Sequence, residues 1–196
     1  MRRNSVSPVV LAAALSACAL EPELLNSDRI VQRFGNYGIE ILEQREDLRR
    51  SNLYSSENDI RTCRTYAVVE FGELSDVNSS DAHRDVLAGG SIGTTFKESG
   101  WTIRKDTVHI GNISFANRDH VVMQIMRLTD IQDLAMHAYR LLLEREDEFV
   151  HYATIVEVHH PDYLSEHELH ELYDQDMATK LDPASIEAFV ALIQSD

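Results

Sequence analysis

Five of the nine histidines fall between residues 151 and 170: His151, His159, His160, His167 and His170. Zinc takes imidazole nitrogens and carboxylate oxygens in a tetrahedral set, and imidazole also suits copper. In "EHELHE", residues 166–171, helical spacing brings His167 and His170 onto neighbouring turns, with Glu171 one turn beyond His167 and Glu166 one turn before His170. His159 or His160, from a strand end just before Pro161-Asp162, can reach over them. His159, His160, His167 and His170 are therefore the candidate ligands for zinc or copper, and no other cofactor is expected. Without a metal, these imidazoles form a solvated helix face that changes charge between about pH 5 and 8.

The spacing is H-E-x-H, which differs from the H-E-x-x-H of zinc metalloprotease helices. A second motif is "GGSIG", Gly89 to Gly93, which matches G-x-S-x-G and resembles the nucleophile elbow of α/β hydrolases. The resemblance implies Ser91 as nucleophile on a sharp strand-to-helix turn, with Asp130 or Asp133 and then His159 in the right chain order. The elbow also needs a buried strand before it, and "AHRDVLA" offers only Val86 to Ala88 as an apolar run; no H-G-G-G-type oxyanion segment is visible in the sequence. Read from its residues, the segment is a helix whose glycines allow close approach to a sheet, or one that breaks there and lines a pocket. Ser91 stands as the one catalytic candidate, and no catalytic constellation is expected.

A third reactive group is Cys18. Arg2 and Arg3 precede an apolar run from Val6 to Leu15, then Ser16, Ala17 and Cys18. That order fits a secretory signal, whose apolar stretch is about 7 to 15 residues; a bilayer span needs about 20. Leu15-Ser16-Ala17-Cys18 resembles the lipobox of bacterial lipoprotein precursors. The resemblance implies diacylglycerol on the cysteine sulfur, cleavage before residue 18 and acylation of the new amine. It divides the chain into a signal peptide at 1–17, a lipidated tether at 18–26 and one domain at 27–196. Ala19, in place of an inner-membrane retention aspartate, implies the outer membrane facing the periplasm in a cell with two membranes.

The 196 residues carry a net charge of −15, and removing Arg2 and Arg3 with the signal takes it to −17. Such a surface repels nucleic-acid phosphates and anionic headgroups, so no nucleic-acid partner is expected. Basic or neutral envelope proteins, cell-wall components and metal cations are the compatible partners. With Cys18 occupied by lipid, Cys63 has no intramolecular partner, and the alternation in "RTCRTYAVVEF" places it with Ala67, Val69 and Phe71 as a buried free thiol.

These groups must be held by recognisable elements. Apolar alternation predicts strands near 38–44, 48–56, 60–72, 101–105 and 108–115, with a phase break at Gly111-Asn112. A clear pair at 134–144 and 149–160 is split by "REDE". A turn centred between Glu146 and Asp147 sets Tyr139, Leu141 and Leu143 opposite Thr154, Tyr152 and Val150, with His137 and Val156 on that face. Helical patterns cover 28–34 and 80–99. Two helices close the chain, one started by a Ser165–Glu168 capping box with a Leu164–Leu169 staple, the other by Asp182, Pro183 and a Leu181–Ile186 staple. The predicted fold is α+β: a mostly antiparallel sheet of about six to seven strands with helices packed on one side. The function predicted is a membrane-anchored envelope lipoprotein with a non-catalytic binding or interaction domain. The alternatives are a metal-binding lipoprotein using His159 to His170, and a serine hydrolase using Ser91.

Overall fold

A computed structural model describes residues 24–72, 80–173 and 183–194. The lipobox with Cys18, the signal peptide, most of the tether and the Asp182–Leu181 helix start lie outside the described residues. Helix α1 (Asn26–Phe34) precedes strands β1 (Gly38–Gln44), β2 (Leu48–Glu57) and β3 (Ile60–Phe71). Short helices α2 (Asp81–Leu87) and α3 (Ile92–Glu98) lead to β4 (Thr102–Ile113), and α4 (Val121–Ile125) leads to the hairpin β5 (Leu134–Arg145) and β6 (Glu148–His159). Helices α5 (Glu166–Tyr173) and α6 (Pro183–Gln194) end the chain. The six strands form one antiparallel sheet in the order β1-β2-β3-β6-β5-β4, which is an α+β fold.

Local chemistry accounts for the turns. Asn58 and Asp59 both take positive φ, 50° and 64°, between β2 and β3; such two-residue connections match the strand twist, and Asn and Asp tolerate them best after glycine. Helix α5 begins as its sequence specifies: the Ser165 amide donates to Glu168 Oε2 at 2.7 Å, the Glu168 amide donates to Ser165 Oγ at 3.2 Å, and Leu164 and Leu169 are both buried.

Helices cover both faces of the sheet, not one. Residues that alternate along a strand point to opposite faces, and both sets here are apolar. Ala67, Val69, Tyr139, Leu141 and Ile155 pack against α1, α2, α3 and α5, while Val68, Met136, Ala138, Val156 and Val158 pack against α4 and α6. The expected helix at 80–99 is two helices, broken where Gly89 adopts φ +109°. The phase break in β4 falls between Thr107 and His109 and not at Gly111-Asn112. Cys63 lies with Tyr66 and Val68, on the face opposite Ala67, Val69 and Phe71, because the β2–β3 register shifts at Leu53/Tyr54.

The register of β5 against β6 matters most. Leu143 pairs with Val150 and Leu142 with His151, but Leu141 pairs with Ala153, so Tyr152 is an extra residue on β6. A one-residue slip exchanges the two faces of a strand. Beyond the bulge, Tyr139 faces Ile155, and the residue opposite His137 is Glu157. Val156 points to the other face, against α4 and α6.

Candidate ligand-binding site

Between the sheet and the layer of α1 and α3 lies a cavity of about 80 Å³. One water needs about 10–15 Å³ of such space, so the cavity holds several waters or a small ligand. Its floor is the inner face of all six strands; its walls are Leu25 to Ser27 at the start of α1, Tyr37, and Ser91 to Gly93 at the start of α3. Gly93 lets this wall close: a Cβ there would sit 2.7 Å from Leu25 Cδ2. Most of the lining is apolar, with Arg49, Lys105, Glu157, Tyr139, Tyr37 and Ser91 among its polar members.

Arg49 is 1% exposed. Its Nη1 donates to the carbonyls of Val86 at 3.2 Å and Gly90 at 2.9 Å, at the end of α2, whereas Nε and Nη2 are buried without a partner among the described residues. Burial lowers its pKa from the usual arginine range. Leaving donors of a charged group unpaired in the interior is costly. Lys105 lies with its ammonium 4.5 Å from the Tyr139 ring centroid and 5.5 Å from that of Tyr173, a cation over two aromatic faces.

At the edge of the cavity, Glu157 is held by Asn26, whose Nδ2 donates to Oε1 at 3.0 Å, and by the Tyr139 hydroxyl at 3.3 Å. His137 and His159 flank it, both fully buried. Burial pushes the His159 imidazole down to about 4, partly offset by Glu157, and holds His137 well below its ordinary range. Burial, reinforced by Glu157, raises the Tyr139 phenol well above its ordinary range.

No protein-family model matches the chain, and no curated protein matches it in sequence. The site's chemistry therefore rests on its geometry.

The four histidines singled out by spacing do not converge. His159 lies inside the sheet layer, hydrogen-bonded to Thr65; His160 accepts from the Asp162 amide at 3.0 Å. His167 and His170 ride the outer side of α5, 3.3 Å from Glu171 and 3.8 Å from Glu166. Among the described residues, the His, Cys, Asp and Glu side chains that come together are His137, Glu157 and His159.

Ser91 lines the cavity but has relaxed extended backbone angles, φ −70° and ψ 123°, where a nucleophile elbow is strained. Its hydroxyl accepts from Thr94 and shares a hydrogen bond with Tyr37. The proposed partners are elsewhere: Asp133 accepts from Ser114, Asp130 from Thr129, and His159 pairs with Thr65. Of the two readings of the glycines, the one realised is a helix break that lines a pocket.

Arg49 and Lys105 were missed by motif reasoning. "DLRRSNL" held a signal: two adjacent arginines in a strand must point to opposite faces, and in a sheet covered on both sides each is buried.

Proposed function

We propose that this chain is a lipid-anchored envelope protein whose domain binds a small anionic ligand, without turning it over, in the cavity beneath α1 and α3. The observation that carries the reading is the Arg49 guanidinium, buried at the cavity with two donors unpaired among the described residues. Arginine's planar fork suits carboxylate or phosphate; the size of the cavity favours a short-chain carboxylate. Lys105 adds positive charge, and the apolar remainder of the lining receives the aliphatic part. The anchor is supported by Leu15-Ser16-Ala17-Cys18 and by the short stretch between Cys18 and α1, which keeps the domain close to the bilayer.

The ligand reading is tested on the full-length protein in detergent by following its melting temperature against acetate, butyrate, succinate and inorganic phosphate. A saturable rise with a carboxylate, absent in Arg49→Met, is expected. No rise with any of the four in the wild type ends the reading. The anchor is tested by Cys18→Ser, which should abolish incorporation of labelled palmitate and membrane retention; unchanged fractionation removes it.

A further inference from the structure

His137 on β5 lies directly across the ladder from Glu157 on β6, and His159 follows Glu157 by two residues on the same face. Directly opposed residues have Cβ atoms about 4.5–5.5 Å apart, and here the donor atoms of all three side chains lie within 4.8 Å of one another. We infer that His137, Glu157 and His159 form a binding site for a divalent transition metal, with zinc the best fit, whose remaining coordination position opens toward the cavity.

The hydrogen bonding is what a metal site requires. Metal-bound histidines fix their rings by bonding the second nitrogen to a neighbouring oxygen. His159 does so through Nδ1, 3.0 Å from Thr65 Oγ1, and His137 through Nε2, 3.0 Å from Thr107 Oγ1. The other nitrogen of each ring, His159 Nε2 and His137 Nδ1, is buried and has no partner among the described residues. Two such orphan atoms beside one carboxyl group are a costly arrangement for a purely structural core. Glu157 is oriented too: its Oε1 takes the bonds from Asn26 and Tyr139, and its Oε2 lies 3.9 Å from His159 Nε2. That separation is too long for a hydrogen bond. Two ligands at about 2.0–2.1 Å from a tetrahedral zinc are about 3.4 Å apart, so side-chain rotations of a few tenths of an ångström per atom bring these two into range.

Two imidazoles and a carboxylate leave a tetrahedral ion one position short. Glu157 is also part of the cavity lining, as are Tyr139 and Lys105, so an exogenous water or anion reaches the fourth position from that side. The site goes beyond the ligand reading and stands without it, because it uses neither Arg49 nor a bound carboxylate. It also differs from a surface site on α5, where His167 and His170 are already paired with glutamates.

The experiment is zinc titration of the full-length protein in detergent by calorimetry, with cobalt(II) as a spectroscopic substitute. One zinc per chain and the visible bands of tetrahedral cobalt are expected. Thr65→Val and Thr107→Val keep all three ligands and remove only the groups that orient the rings; each should weaken zinc about tenfold or more. His137→Gln with His159→Gln should abolish binding, His167→Ala with His170→Ala should leave it unchanged, and Arg49→Met should keep zinc while losing carboxylate. Absence of zinc uptake by the wild type overturns the site, as does loss in the His167/His170 variant with retention in the His137/His159 variant. Zinc affinity unchanged in both threonine variants, each shown to be folded by circular dichroism, overturns it as well.

Discussion

Arg49 and Arg50 are neighbours in β2 and cap two different helices on opposite faces of the sheet. Arg49 donates to carbonyls at the end of α2, on the cavity side. Arg50 donates to the Leu192 carbonyl near the end of α6 at 2.9 Å, to the Tyr66 hydroxyl at 3.1 Å and, through Nε, to Glu43 at 2.9 Å. Carbonyls at a helix C-terminus lack intrahelical partners and carry partial negative charge, so a cation there is favourable. The pairing of residues explains the geometry: Arg49 sits opposite Val69 and Arg50 opposite Val68, which belong to the two different cores.

The two arginines are expected to respond differently to substitution. Arg50→Ala removes the hydrogen bonds to the Leu192 carbonyl and the Tyr66 hydroxyl, while Glu43 keeps Arg45 at 3.0 Å, and should cost about 2 kcal/mol in urea unfolding. A loss under about 1 kcal/mol would mean that α6 is held by its apolar side alone.

Arg49→Met should move stability by no more than about 1 kcal/mol, in either direction. The substitution removes a charged group with two buried donors unpaired among the described residues, and exchanging such groups for apolar ones of similar volume is often neutral. Of the carbonyls it leaves, that of Val86 still accepts from the Gly89 amide. A strongly destabilised variant would show that the guanidinium serves the fold and not a ligand.

The break between α2 and α3 sets the cavity wall, and its glycines have distinct reasons. Gly89 needs a positive φ of 109°, which costs a residue with a Cβ of order 1–3 kcal/mol. Gly93 needs room, since its Cβ would press on the end of the flexible Leu25 side chain; overpacking of that kind costs about 1–3 kcal/mol. Gly89→Ala should therefore lower the melting temperature whatever its neighbours. Gly93→Ala should be rescued by Leu25→Ala. If the double variant melts no higher than Gly93→Ala alone, the contact is not what excludes the methyl group.

Acid should destabilise the domain partly through His83. Its Nδ1 lies 2.7 Å from the Tyr152 hydroxyl, and burial holds its pKa below the ordinary histidine range. A depressed histidine resists protonation in the folded state, while the unfolded chain takes up the proton near pH 6.5. The unfolded state then binds more protons, so stability is full above that pH and falls as the solution is acidified through it. Urea midpoints of wild type and His83→Gln at pH 7.5 and 5.5 check this. The wild type should lose more on acidification; equal losses remove His83 from the acid response.

The fold was largely legible because its elements carry their own punctuation. "REDE" marks the β5–β6 turn, Ser165 and Glu168 mark a helix start, and the alternation in 48–72 marks two strands. The grouping of His137, Glu157 and His159 was not legible, because of a bulge at Tyr152. A bulge there has no glycine or proline to announce it, yet it decides whether His137 faces Val156 or Glu157. Counting back from the turn without it gives a histidine in an apolar core. With it, the same histidine gains a carboxyl partner and, through the next inward position of β6, a second imidazole. Arg49 was hidden differently: its burial depends on helices covering both faces, which alternation within one strand does not reveal.

Thiol chemistry tests the interior and the proposed anchor together. Cys63 is 1% exposed, and burial raises its thiol well above the ordinary cysteine range; reaction with disulfide reagents requires an accessible thiolate. The native domain should therefore show no fast reaction at Cys63 with a chromogenic disulfide, and one equivalent in urea. On the proposed lipidation Cys18 supplies the contrast, because a diacylglyceryl thioether cannot react. Protein purified from membranes should give no reactive thiol before unfolding and one after it, whereas protein made without its lipidation machinery should give one before and two after. One fast thiol in the membrane-derived native protein would have two readings, separated by Cys63→Ala. If the signal persists in that variant, Cys18 is unmodified and the anchor fails; if it disappears, the interior at Cys63 opens more readily than its packing against Tyr66 and Val68 allows.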